Sequence, residues 1–135
     1  MSNFNADKQK TGNIGESLAC RFLEDRGFKI IERNYRKKWG ELDIVAELDG
    51  VLRFVEVKAL TVRPSYAKAS EGKDEYLPEA NIRLWKKERM SRAIRTYLLD
   101  RKISDETDFQ IDIMAIFLDF QRKKARIRML ENVNL

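Results

Sequence analysis

The chain predicts an α/β protein: a mixed sheet with helices packed on it, in the order helix, three strands, helix, two strands. Three observations carry that expectation. Two long segments repeat apolar residues at the three- and four-residue spacing of a helix. Five shorter runs are rich in β-branched and aromatic residues, some with strand-like alternation. Between the second and third of these runs stands Asp49-Gly50, a strong signal for a tight hairpin.

The elements follow in order. Residues 1–12 read as a flexible polar leader to a first helix, "NIGESLACRFLEDRGF". Asn13 serves as its N-cap, with Glu16 three residues on as in a capping box. Ile14, Leu18, Ala19, Phe22 and Leu23 form its apolar stripe, and Gly27 suits the residue that ends it. "FKIIERNYR" is a first strand running into a basic, aromatic turn, "RKKWG", and "ELDIVAELDGVLRFVEVKA" holds the next two strands. A long polar loop covers 61–78, and loops of that length are often functional. "PEANIRLWKKERMSRAIRTYLLDRK" is the longest helix, with Ile82, Trp85, Ala93, Ile94, Tyr97 and Leu98 facing the core. "DFQIDIMAIFLD" and "KARIRMLENV" pair as the last strands. With no repeat or linker, residues 1–135 read as a single domain.

Composition excludes much chemistry. There is no histidine in the 135 residues, which removes histidine-based nucleophilic catalysis, histidine general acid–base chemistry and histidine-ligated zinc. The single cysteine, Cys20, rules out thiolate metal clusters and an intrachain disulfide; its simplest role is helix packing. Any resident metal is then a hard ion held by oxygens. No apolar run approaches the ~20 residues that span a bilayer, so the reading is a cytoplasmic protein with no membrane partner. A formal charge of +5 is compatible with nucleic-acid binding without requiring it.

One stretch conflicts with its surroundings. In "LRFVEVKAL" Glu56 and Lys58 interrupt a run that otherwise reads as a buried strand, although charges are rarely buried unless paired or bound. Counting outward from a turn at Asp49-Gly50 sets Leu48 against Val51, Asp43 against Glu56 and Glu41 against Lys58. Directly opposed Cβ atoms lie about 4.5–5.5 Å apart, and opposed like charges destabilise a sheet. Two such carboxylates share a proton or a cation, and oxygen ligands suit Mg²⁺ or Mn²⁺. The alternative is a solvated strand face on which the charges simply pair. Glu71-Gly-Lys73 and Asp100-Arg-Lys102 have the same acid-x-Lys spacing, but only Glu56-Val-Lys58 lies in an apolar strand facing another acid.

"GESLACRFLEDRGFKIIERNYR", "GELDIVAELDGVLRFVEVKA" and "PEANI" together resemble the YraN-like bacterial family, from Gly12 to the last strand. Members of that family are similar to PD-(D/E)xK nucleases, the restriction-endonuclease-like superfamily that includes Holliday-junction resolvases. The resemblance implies a restriction-endonuclease-like sheet flanked by helices and a metal-dependent endonuclease acting on DNA, branched or damaged DNA among the candidates. It places the motif acids on Asp43 and Glu56, the lysine on Lys58 and a helix-borne acid on Glu16. It also implies Mg²⁺ or Mn²⁺ on Asp43, Glu56 and the Val57 carbonyl. Leu42 stands where the nominal motif has proline, and the stretch from Thr61 to Leu77 is longer and more charged than usual. Glu16 reads equally as a capping acid favoured at a helix N-terminus. Resolvase action would suit a homodimer, though no interface is legible. The competing function is a non-catalytic nucleic-acid-binding or assembly module that keeps the fold.

Basic residues supply the candidate DNA contacts. Arg33, Arg36, Lys37 and Lys38 mix with Tyr35 and Trp39 before the first acid, a combination that suits backbone contact and base stacking. A strand end with a core tryptophan fits the same residues. Lys86 and Lys87, with Arg83, Arg89, Arg92 and Arg95, crowd the second helix, where they contact phosphates or form a solvated face. Asp112, in an alternating strand, reads best as a paired acid.

Overall fold

The first helix, α1, spans Phe4–Asp25 and therefore begins well before the expected cap. The computed structural model describes residues 4–62 and 84–134. Asn13 and Glu16 lie in the interior of α1, so neither caps it, and the leader expected over 1–12 is helical from Phe4 on. The polar residues before Asn13 concealed this, because a helix can continue into solvent with no apolar stripe to mark it.

Five strands follow the expected order: β1 Lys29–Lys37, β2 Gly40–Leu48, β3 Val51–Thr61, β4 Phe109–Asp119 and β5 Lys124–Leu130, with helix α2, Leu84–Asp100, between β3 and β4. They form one open sheet in the order β1-β2-β3-β4-β5. The β1–β2, β2–β3 and β4–β5 pairs are antiparallel, while β3 and β4 are parallel. A parallel pair needs a long crossover, and α2 lies within it. Asp49 and Gly50 take φ of 53° and 81°, the left-handed pair of a two-residue hairpin turn. The expected 61–78 loop lies, from residue 63, outside the described residues, as do Ile82, Arg83 and the side chains of Trp85 and Lys86.

Two apolar cores sandwich the sheet. Ala19, Cys20 and Leu23 of α1 pack with Ile44, Ala46, Val55, Met114 and Ile116 on one face. Met90, Ala93, Ile94 and Tyr97 of α2 pack with Leu42, Val45, Leu52 and Phe54 on the other. Strands covered on both faces need apolar side chains in both directions, which explains the nearly continuous apolar runs of β3 and β4. Asp112 is fully buried on β4 and paired: Arg53 Nη1 donates to its Oδ2 at 3.1 Å, and Gln110 and the Asn132 amide donate to its Oδ1.

Each helix is brought close by a missing side chain. A Cβ on Gly15 would stand 2.5 Å from the Ala59 Cβ, so glycine lets α1 lie directly on β3. A Cβ on Gly40 would clash with the Arg89 carbonyl oxygen, so glycine there lets the α2 backbone reach the start of β2. These two contacts flank the same region of the sheet.

Candidate functional site

Asp43 sits where β2 loses its regularity. Leu42 belongs to the α2 core and Ile44 to the α1 core. Residues two apart on a regular strand share a face, so the alternation breaks at Asp43. On the neighbouring strand β1 the same register brings Asn34, with φ 54°, level with Asp43, between the pairs Arg33↔Ile44 and Tyr35↔Leu42. On the other side the β2–β3 ladder runs from Leu48↔Val51 to Ile44↔Val55 and ends there.

The register counted from the turn is thus correct over five pairs, but Asp43↔Glu56 and Glu41↔Lys58 are not part of it. The Asp43 side chain takes over instead: the Val57 amide donates to Asp43 Oδ2 at 2.8 Å. In an extended strand the amide and carbonyl of one residue point to the same side, as paired residues exchanging both bonds require. The Val57 carbonyl therefore also faces the gap that Asp43 occupies.

Two clefts meet at this gap. One, of about 370 Å³, is lined by Glu41, Asp43, Glu56, Val57, Lys58 and α2 residues Arg89 and Met90. The other, of about 270 Å³ and on the α1 side, is lined by Glu16, Asn34, Arg36, Asp43, Val57 and Ala59 among others. Asp43 and Val57 line both. Glu56 is 8% exposed, whereas Lys58 is exposed at the rim.

The electrostatics favour a positive occupant. Burial, then the Glu56 charge, pushes the Asp43 carboxyl up to about 8, with smaller contributions from Glu16 and Glu41; the Val57 amide pulls the other way. A carboxyl raised by burial and by a neighbouring carboxylate is one that a cation would stabilise in its charged form. Among the described residues no three Asp, Glu, Cys or His side chains form a ready metal-binding group. Two carboxylates, one backbone carbonyl and water are a set that Mg²⁺ accepts, since it keeps several waters and takes one or two protein carboxylates.

Glu16 reaches this region from inside α1, but it is already engaged. Its Oε1 accepts from Arg33 Nη2 at 3.1 Å and from Asn34 Nδ2 at 2.9 Å. Arg33 is thus tied to Glu16, while Arg36 lines the α1-side cleft, within 3.4 Å of Asn34 Oδ1 and 3.6 Å of Glu41. Lys37 turns to the far end of α2, 3.6 Å from Asp100, and Lys38 is exposed in the β1–β2 turn. Lys87 is half-buried on α2. Trp39 is not a core residue: it is 42% exposed, and its indole Nε1 donates to Thr96 Oγ1 at 3.1 Å. Asn34, which no sequence motif marks, links Glu16, Arg36 and the irregularity at Asp43. The available signal was its residue type, since asparagine tolerates positive φ better than most.

The chain matches the Uncharacterised protein family UPF0102 over residues 15–116, a span that contains Glu16, Asp43, Glu56 and Lys58. A UPF0102 protein of Campylobacter hominis is 32% identical over 126 residues, covering 93% of this chain and 95% of that protein. One from Campylobacter jejuni subsp. jejuni is 34% identical over 123 residues, covering 91% and 92%. One from Koribacter versatilis is 36% identical over 128 residues, covering 93% and 80%. Among the described residues no helix is long and apolar enough to cross a membrane.

Proposed function

This chain belongs to the UPF0102 family, and we propose that it is a metal-dependent nuclease hydrolysing phosphodiester bonds in DNA. The observation that carries this reading is the placement of Asp43, held on the Val57 amide beside Glu56 in a cleft with a lysine at its rim. The similarity of Asp43, Glu56 and Lys58 to the PD-(D/E)xK motif adds to it.

Asp43, Glu56 and the Val57 carbonyl would hold Mg²⁺ or Mn²⁺. When bound, such an ion acidifies water and neutralises phosphate charge. The residues of the chain do the rest. The Val57 amide fixes Asp43 Oδ2 at the gap that both clefts share. Lys58, at the rim, places an ammonium where a phosphate enters and stabilises charge that develops on its oxygens. Glu16, held by Arg33 and Asn34, adds negative charge on the α1 side and favours cation occupancy.

The second reading is a non-catalytic nucleic-acid-binding or assembly module. It is favoured by the lack of a ready three-residue metal group among the described residues. Cleavage of linear, flapped and four-way DNA, and of RNA, by the wild type, Glu56→Gln and Lys58→Ala separates the two. The nuclease reading expects cut DNA that needs a divalent ion and falls at least about 100-fold in both variants, an order typical of losing one group that stabilises charge in the transition state. Activity undiminished in both variants would come from a contaminant and refute the assignment. DNA binding without cutting would favour the second reading.

A further inference from the structure

The α2 face beside the acids carries a feature that hydrolysis does not use. Arg89, Arg92, Thr96 and Leu99 recur at three- and four-residue steps, which aligns them in one stripe. Arg89 lines the acid cleft, and the other three, with Arg95 and Trp39, line a neighbouring cleft of about 460 Å³. Trp39 is 42% exposed and Leu99 80% exposed. An indole has a single hydrogen-bonding group, and that of Trp39 is already bound to Thr96. What Trp39 presents to solvent is therefore apolar ring surface. Arg92 and Arg95 are exposed, and neither is ion-paired among the described residues.

An apolar ring flanked by exposed guanidinium groups matches a nucleobase with its phosphates: the ring stacks on the base, and the cations track the backbone. A blunt duplex offers no free base face along its length, whereas an unpaired strand does. We infer that Trp39 and Leu99 hold a base of an unpaired DNA strand, with Arg92 and Arg95 on its phosphates. The substrate class is then DNA in which a single-stranded segment adjoins the duplex. Asp43 lies four residues on from Trp39, at most about 14 Å at the strand rise of ~3.4 Å per residue, which a DNA strand crosses in a few nucleotides. The choice of substrate rests on the nuclease reading; the binding itself does not.

The test is fluorescence anisotropy in EDTA with a labelled blunt duplex, the same duplex carrying a dT tail, and one carrying an abasic tail. The tailed duplex should bind at least about fivefold more tightly than the blunt one, the weaker end of the range for one stacked base. That preference should fall at least about fivefold with the abasic tail and in Trp39→Leu, to what the phosphate contacts alone supply, and persist in full in Trp39→Phe, with blunt-duplex affinity unchanged throughout. Replacing Arg92 and Arg95 together by alanine should reduce the salt slope for the tailed duplex by about 1.4, two single-strand phosphate contacts at ~0.7 each. Equal affinity for blunt and tailed duplexes, or a Trp39→Leu protein that keeps the preference, would overturn the inference. So would a dimer that Trp39→Leu dissociates without altering the preference, which would give the patch to a second copy of the chain. Because no metal is present, an intact tail preference in a protein that never cuts would defeat the nuclease reading and leave this one standing.

Discussion

Val57 donates its amide to Asp43 Oδ2 at 2.8 Å, two residues beyond Val55, where the β2–β3 ladder ends. A side chain thus replaces a backbone acceptor in the sheet, and a carboxylate is drawn into the gap between two central strands. The same displacement half-buries Asp43 and brings it under the influence of Glu56, Glu16 and Glu41. Structure and electrostatics here have one cause, the break in alternation at Asp43.

The first prediction concerns pH. The folded state raises Asp43 from its ordinary 3.8 to about 8, so the native protein binds this proton more tightly than the unfolded chain does. Its contribution to stability is complete below about pH 4 and is lost as pH rises toward 8. Thermal melts of the metal-free protein should show the wild type losing stability relative to Asp43→Asn across that window. Saturating Mg²⁺ should recover part of the loss near pH 8. A difference between the two proteins that does not change with pH would contradict the account.

A second prediction tests how α1 is seated. Gly15→Ala forces a methyl group against Ala59 on β3 and should destabilise by about 1–3 kcal/mol, the usual range for overpacking. Ala59→Gly should restore most of that loss when combined with it, giving a large coupling in a double-mutant cycle. Additive effects would mean that the helix accommodates the methyl by another route.

The pattern of what the sequence disclosed follows from how each feature is encoded. The Asp49-Gly50 turn and the apolar runs are local signals, so the strands, their order and five pairs of the hairpin register could be read directly. The start of α1 could not, because its first turns carry no apolar stripe. Glu56 and Lys58 stand out in the sequence as charges in an otherwise apolar strand, and counting from the Asp49-Gly50 turn leads to Asp43. That Asp43 bonds the Val57 amide instead of lying opposite Glu56 was not legible, because a break in alternation depends on which core each neighbour joins. Asn34 was missed for the same reason. Its role arises from β1 lying beside Asp43, a contact that no spacing within the chain announces.

A third prediction separates scaffold from site. Asp112 is completely buried and answers Arg53, Gln110 and the Asn132 amide. Asp112→Ala leaves Arg53 without its buried partner and should cost about 3–5 kcal/mol, read as a shift in denaturant midpoint. Its effect on metal affinity, measured where the variant is still folded, should be within about twofold, because the acids at the β2–β3 gap do not touch it. A loss of metal binding larger than the loss of folded protein would link the two regions and contradict this separation.

The most direct test of the central claim is Mn²⁺ binding to the DNA-free protein, followed by electron paramagnetic resonance near pH 7.5. One ion per chain is expected, with affinity reduced at least about tenfold in Asp43→Asn and in Glu56→Gln, and retained in Lys58→Ala. Binding should also weaken as pH falls and Asp43 takes up its proton. An unchanged affinity in both acid variants, or no bound ion in the wild type, would contradict the central claim.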